Sequence, residues 1–436
     1  MTVGAFLGPS VIGDDTCRFE PGIRFTTPSS LPDVALPRFV SDFYIDSVGG
    51  RTVGVFFPRV EFWNHITQAL LLTTAFGMIL SFVVHRHVIK NRRTRPTLAR
   101  AIGCAAILSS ILFPYAVVSL LDVRNLVVKF TLCASPALFM FRTSEAMFGF
   151  SPLGVERSLF SYLCHFAVPF ELELDPKTGR PLETTREEMS TNVSLLIGSF
   201  IRVCILITLL APSNFEPFEG RPGEMEGDDG MISLMQYLRL GHLGNCFLAA
   251  YMFQLLLGLF GFAMSAVVQF GFGLKTNVSM RNPMLEATSP SDFWGKRWNT
   301  LVHGVLKRGV YKPVRRHFSA SMASLAAFVA SALFHEWIVS VMAFRRECPT
   351  DEQDCYQPQL GSNAAFFLWN AGVIAIESLL RRNTLVEKAG AVMPRIGITV
   401  IIIMTSLPLA HLFADPYIRA GFFSDYRQGF PLLAFV

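Results

Sequence analysis

His335 and Glu336 stand inside an otherwise apolar run from Ser319 to Ser340, long enough to cross a bilayer as one helix. Ionisable groups in such a segment are costly in hydrocarbon and are kept where they face a bundle interior or an aqueous cavity. Imidazole exchanges its proton near neutral pH, so this His points to general-base catalysis or to proton-coupled transport. Ser331 lies one turn earlier on the same face, and Ala323, Ala326, Ala327, Ala330 and Ala332 let neighbouring helices approach closely. Burial in such a packed site disfavours the charged ring and keeps it in the neutral state a base requires. Ser331 and Glu336 are expected to border substrate, although Glu336 projects about 100° away from His335 and is better placed to anchor a neighbouring helix than to pair with the imidazole.

A second concentration of chemistry lies upstream, in Ser289-Pro290-Ser291-Asp292-Phe293-Trp294-Gly295-Lys296-Arg297-Trp298-Asn299. Proline beside Ser and Asp is a helix-start signal, and a helix over 292–306 would set Trp294 and Trp298 on one face and pair Asp292 with Lys296. That pattern predicts an amphipathic helix at the membrane surface, with its indoles at headgroup depth and its cations available to phosphate. An interfacial anchor with no further role would have the same pattern.

The elements that must hold these residues are membrane spans. Of the 436 residues, 51% are hydrophobic and 16% charged, with a mean hydropathy of +0.41, which excludes a soluble globular enzyme. Apolar runs predict helices near 62–84, 99–121, 126–141, 193–211, 245–270, 318–344, 363–380 and 396–413. The fold class is therefore all-α, a polytopic integral membrane protein of about eight spans plus interfacial helices. Residues 1–60 read as a loose leader, 61–415 as one multi-span domain and 416–436 as a short tail. The net charge of +5 reflects topology rather than nucleic-acid binding, because the cations cluster between apolar runs. Arg86, Lys90, Arg92, Arg93, Arg95 and Arg100 put the loop after the first span on the cytoplasmic side. Alternation then makes the 271–317 loop cytoplasmic as well and makes the leader and the acidic 212–244 loop lumenal. Cys348 and Cys355 fall in a lumenal loop, where a disulfide could form. The eight cysteines show no Cys-x-x-Cys spacing, and no metal site is expected.

From Asn282-Pro283 through the Ser289–Asn299 run, Val310-Tyr311-Lys312-Pro313-Val314-Arg315 and Phe334-His335-Glu336-Trp337, the chain resembles the wax-synthase-like branch of the membrane-bound O-acyltransferases. Segments around Phe141-Arg142 and His165-Phe166 share the likeness. The resemblance covers about 60 residues strongly. It implies acyl transfer from acyl-CoA, as co-substrate without a further cofactor, to a lipophilic alcohol, with wax ester as the product, in the endoplasmic reticulum membrane and among its lipids. It assigns the essential His to His335 and the essential Asn to Asn299, with Trp294, Arg297 and Trp298 at the substrate. The phosphates of CoA need cations at the cytoplasmic mouth of the site, and the 296–316 stretch supplies Lys296, Arg297, Lys307, Arg308, Lys312, Arg315 and Arg316, of which Lys296, Arg315 and Arg316 are the candidates for the CoA phosphates. Diacylglycerol, sterol or terpenoid acceptors fit the same chemistry. A transporter using the His335-Glu336 pair is the competing reading from another class, with Lys129, Arg202 and Glu377 as the further intramembrane charges it could recruit.

Overall fold

The computed structural model describes residues 43–48, 51–175, 177–219, 222, 234–345, 358–380 and 393–435. Cys348, Cys355, residues 1–42 of the leader and residues 220–221 and 223–233 of the acidic loop lie outside them.

Among the described residues seven helices are long and apolar enough to cross a membrane: α1 (Val60–Val83, continued by a wide turn to Ile89), α2 (Pro96–Leu121), α3 (Leu126–Phe148), α5 (Arg186–Leu210), α6 (Leu240–Phe272), α8 (Ala320–Ala343) and α9 (Ser362–Leu380). The short α4 (Leu159–Phe166) and α7 (Thr300–Leu306) lie between them, and α10 (Arg395–Met404) and α11 (His411–Ile418) belong to a segment bent by 59°. The helix starts follow local chemistry. Asn125 caps α3 by accepting from Val127 and Val128, Thr185 and Glu188 form a reciprocal capping box on α5, and Ser319 caps α8.

Three strands, β1 (Phe43–Val48), β2 (Arg51–Phe56) and β3 (Leu432–Phe435), form an antiparallel sheet in the order β1-β2-β3. β2 precedes the first span and β3 follows the last, so both ends of the bundle emerge on one face. That requires an even number of crossings and makes the bent segment the eighth. This face is called the sheet face below, and the opposite one, which carries the loop after α1, the basic face.

The sheet also corrects the expectation of a loose leader and a short tail. Tyr417, Phe422, Phe423, Tyr426 and Phe430 are buried in the main core, because an aromatic-rich tail gains more by packing against α3 and α6 than by exposure. Among the seven spans α3 is central: 78% of its apolar stretch is buried, against 22–39% for the others. Its polar residues therefore act inside the protein. Lys129 donates to the carbonyls of Met342 (3.1 Å) and Phe344 (2.8 Å) at the end of α8.

Candidate active site

A cavity of ≈ 420 Å³ opens between α6, α7, α8, α9 and the bent last segment, and both His335 and Asn299 line it. Its wall is mainly apolar, with Trp294, Trp298, Phe253, Phe328, Phe367 and Phe413 prominent, and its size and lining suit a lipid-like ligand.

The His335 ring is held from several sides. It stacks on Phe367 at 4.4 Å, meets Phe413 edge-on at 5.4 Å and lies 4.4 Å from Phe334. Its Nδ1 is 2.7 Å from the Ser331 carbonyl oxygen. A carbonyl only accepts, so Nδ1 carries the proton and Nε2 the lone pair. Ser331 thus contributes its backbone to the orientation of the base while also lining the cavity.

Asn299 is the N-cap of α7. Its backbone is left-handed at φ 41°, a conformation Asn tolerates better than most residues, and its Oδ1 accepts from the Val302 N–H at 3.2 Å. With the oxygen committed to the cap, the Nδ2 amide is the part of the side chain able to donate to a ligand.

The tryptophan stretch departs from the expected surface helix. Residues 293–297 form a wide turn closed by Trp298 N–H to the Phe293 carbonyl (2.8 Å), Trp298 leaves the helix, and α7 starts anew after Asn299. Trp294 and Trp298 consequently turn into the cavity wall instead of towards headgroups, with the Trp294 indole donating to Asn370 Oδ1 at 3.1 Å. In the same turn residues five apart align, so Asp292 pairs with Arg297 (2.7 Å) rather than with Lys296. Arg297 also binds Glu286 (2.8 Å) and the Arg281 carbonyl (3.2 Å). Arg297, expected at the substrate, thus fastens the 281–297 segment and is not among the residues lining the cavity. Burial pushes the Asp292 carboxyl up, but its bonds to Arg297 and Thr288 outweigh this and hold it below the ordinary value.

The other expected contacts also move. Glu336 lies off the cavity, and its Oε1 accepts the Ala364 N–H at 2.9 Å, which fastens α8 to the first turn of α9. Lys296 is exposed and lines no part of the cavity. Arg315 donates to the Phe318 carbonyl, and Arg316 stands over the Phe150 ring at 4.3 Å. Neither lines the cavity. The cation that does is Lys307, with His303 and Tyr311 beside it on the side leading to the basic face. Burial, followed by the nearby Lys307 and Arg308 charges, lowers the His303 pKa.

Sequence reading missed the support behind α7. Arg308 bridges Glu145 (2.9 Å) and Glu171, and Glu145 also meets His165 Nε2 at 3.3 Å. Arg142 donates to the carbonyls of Phe166, Val168 and Phe170 at 2.6–3.0 Å. The network ties α3 and the α4 segment to the helix that follows Asn299. Its only advance signal was charge within apolar sequence at Arg142 and Glu145, three residues apart.

The intramembrane charges that a transport path could have used are tied to nearby groups. Lys129 caps α8, Glu377 accepts from the Ser291 N–H (2.8 Å) and hydroxyl (2.9 Å), and Arg202 donates to the Gly198 carbonyl (3.0 Å). Lys129 and Glu377 thus brace separate elements, and Arg202 bonds within its own helix.

Residues 278–367, which hold Asn299, α7 and all of α8, match the membrane bound O-acyl transferase family. Over 243 residues the chain is 28% identical to the probable long-chain-alcohol O-fatty-acyltransferase 9 of Arabidopsis thaliana, an alignment covering 54% of this chain and 58% of the relative. It is 40% identical over 82 residues to the long-chain-alcohol O-fatty-acyltransferase of Simmondsia chinensis, covering 17% of this chain and 23% of that protein. It is also 37% identical over 87 residues to acyl-CoA--sterol O-acyltransferase 1 of Arabidopsis thaliana, covering 18% and 25%. These alignments thus span from about a quarter to somewhat over half of the relatives' lengths. With His335 and Asn299 on one apolar cavity inside a helical bundle, the segment that matches the membrane bound O-acyl transferase family is the one that builds this site, and long-chain-alcohol O-fatty-acyltransferases are among the proteins to which the chain is similar.

Proposed function

We propose that the protein transfers a fatty acyl group from acyl-CoA to the hydroxyl of a lipophilic alcohol within the membrane, with a long-chain alcohol as acceptor and a wax ester as product. The observation that carries this reading is the fixed tautomer of His335: Nδ1–H is spent on the Ser331 carbonyl, so Nε2 is available as a base in an apolar cavity that Asn299 also lines. In the proposed step Nε2 takes the acceptor's hydroxyl proton as its oxygen bonds to the thioester carbonyl carbon. The tetrahedral intermediate then collapses, the carbon–sulfur bond breaks, and the leaving thiolate takes the proton from the imidazolium. The Asn299 amide donates to the carbonyl oxygen as charge develops there. No covalent acyl-enzyme is required, because an activated thioester and a positioned hydroxyl react once aligned and deprotonated.

CoA is polyanionic and would enter from the basic face, which the positive-inside rule makes cytoplasmic in an endoplasmic reticulum membrane. Lys307 is the cation best placed to meet it. The relatives named as long-chain-alcohol acyltransferases favour that acceptor, while the sterol relative keeps sterols as the alternative. The test gives membranes containing the protein labelled acyl-CoA with hexadecanol, a sterol or diacylglycerol in turn. Labelled wax ester from hexadecanol alone is the expected result. Ester from the sterol alone would reassign the acceptor, and no ester with CoA left intact would refute acyl transfer to these alcohols.

A further inference from the structure

At the sheet face end of the cavity, three side chains meet that the acyl-transfer reading does not use. His242 and Cys246 are one turn apart on the first turns of α6, the i, i+4 spacing that lets two side chains of a helix grip one ion. His411 joins them from the first residue of α11, just past the bend in the last span. One ligand atom from each lies within 4.8 Å of the others, with Cys246 Sγ 3.7 Å from His242 Nε2 and 4.0 Å from its Nδ1.

The proton positions on both rings follow from one backbone oxygen. The Pro408 carbonyl lies 3.0 Å from His242 Nε2 and 3.2 Å from His411 Nδ1. Since a carbonyl only accepts, each of those nitrogens carries a proton in the neutral ring, which makes His242 Nδ1 and His411 Nε2 the atoms that would ligate an ion. Imidazoles that bind metal usually donate their second nitrogen to such an oxygen, which fixes the ring and raises its basicity. Here a single carbonyl does this for two imidazoles from different helices.

We propose that His242, Cys246 and His411 form a binding site for a thiophilic divalent metal ion of the zinc class, clamping the start of α6 to the bent last span. Two neutral imidazoles and one thiolate are a borderline-soft donor set suited to Zn²⁺, and the thiol gives up its proton as the ion binds. A fourth position is available in the adjoining cavity of ≈ 60 Å³, which His242, Cys246 and His411 line together with Asp415 and Glu216. Water or one of these carboxylates completes four-coordination there. Cys246 also lines the large cavity, so the ion sits where the apolar chamber meets this small polar pocket. The clamp steadies the segment that presents Phe413 to the His335 ring. Cysteine spacing alone could not reveal the site, because two of its three ligands are histidines and one is 165 residues distant from Cys246 in the chain.

The test measures metal content of the purified full chain in detergent after incubation with Zn²⁺ and removal of unbound ion, for wild type, Cys246→Ser and His411→Ala. Exchange into Co²⁺ supplies a second readout, because a thiolate ligand gives an intense charge-transfer absorption that imidazole and carboxylate sites lack. One zinc per wild-type chain, lost in both variants, and a thiolate–cobalt band abolished by Cys246→Ser are expected. A wild type that retains no zinc overturns the proposal. So does zinc retained undiminished in both variants, or a cobalt spectrum without a thiolate band. If either variant fails to fold, the wild-type zinc content and cobalt spectrum decide alone.

Discussion

Asn299 has two functions in this account, and one substitution separates them. Its Oδ1 caps α7 and its left-handed backbone (φ 41°) joins the wide turn to that helix, whereas its amide nitrogen is assigned to the reacting carbonyl. Asn299→Ala removes all three features. Loss of the cap costs about 1 kcal/mol and placing alanine in the left-handed region costs about 1 kcal/mol more, together about 2 kcal/mol of stability. Asn299→Asp keeps an oxygen for the Val302 N–H and a residue type that accepts φ > 0, so its stability should fall by no more than about 0.5 kcal/mol. What it loses is the donor, and loss of one preorganised donor to a developing oxyanion slows turnover by about 10²- to 10³-fold. The assay pairs thermal unfolding in detergent with ester formation per folded molecule. The prediction is an Asn299→Asp protein nearly as stable as wild type with turnover reduced at least a hundredfold, an order-of-magnitude expectation for a lost oxyanion donor. Turnover within a few-fold of wild type in that variant would refute the donor role and leave Asn299 as a helix cap alone.

Other substitutions probe the surroundings. Lys307→Ala should raise KM for acyl-CoA with kcat little changed. Arg297→Ala should leave KM alone and remove about 0.5–1 kcal/mol of stability through partly exposed ion pairs. A steady-state comparison of the two would contradict these placements if their effects were reversed. Arg308→Met strands Glu145 and Glu171 beside each other, a change worth about 3–5 kcal/mol because Glu145 is fully buried. Recovery of well-folded protein at wild-type yield would show that the network is dispensable. Burial, followed by the Arg142 charge, lowers the His165 pKa well below 6.5. The unfolded chain therefore takes up a proton near pH 6.5 that the folded chain refuses, and stability is complete above that pH and declines below it, by at most about 1.4 kcal/mol per pH unit. Unfolding midpoints measured between about pH 7.5 and 5 should fall less steeply for His165→Gln.

Much of this architecture was legible in the sequence because bilayer thickness fixes span length and cation-rich loops mark alternation. Each of the eight apolar runs overlaps a helix or the bent last segment. His335 stood out because a lone ionisable residue in hydrocarbon has no inexpensive explanation, and Asn299 was assigned through a motif rather than through physics. The errors have a common origin in local periodicity. An ideal α-helix was laid over 292–306, where the chain forms a wide turn, a break and a second helix, and that one assumption set the indoles at headgroup depth and paired Asp292 with Lys296 instead of Arg297. Contacts distant in sequence were not legible, since neither the β2–β3 pairing nor the Arg308–Glu145 bridge leaves a periodic trace. The partner of Glu336 was foreseeable in kind, because helix geometry turns it away from His335, but only the folded chain identifies it as the Ala364 N–H.

The central claim is that the Nε2 atom of His335 acts as the base for acyl transfer, and CoA release with hexadecanol tests it most directly. Wild type, His335→Ala and Ser331→Ala would be compared at equal amounts of folded protein. Ser331→Ala keeps the carbonyl that orients the ring and should retain most of the activity, while His335→Ala should lose about 10²- to 10⁴-fold, the range for a positioned base. Acceptor-dependent CoA release by His335→Ala at the wild-type rate would contradict the account.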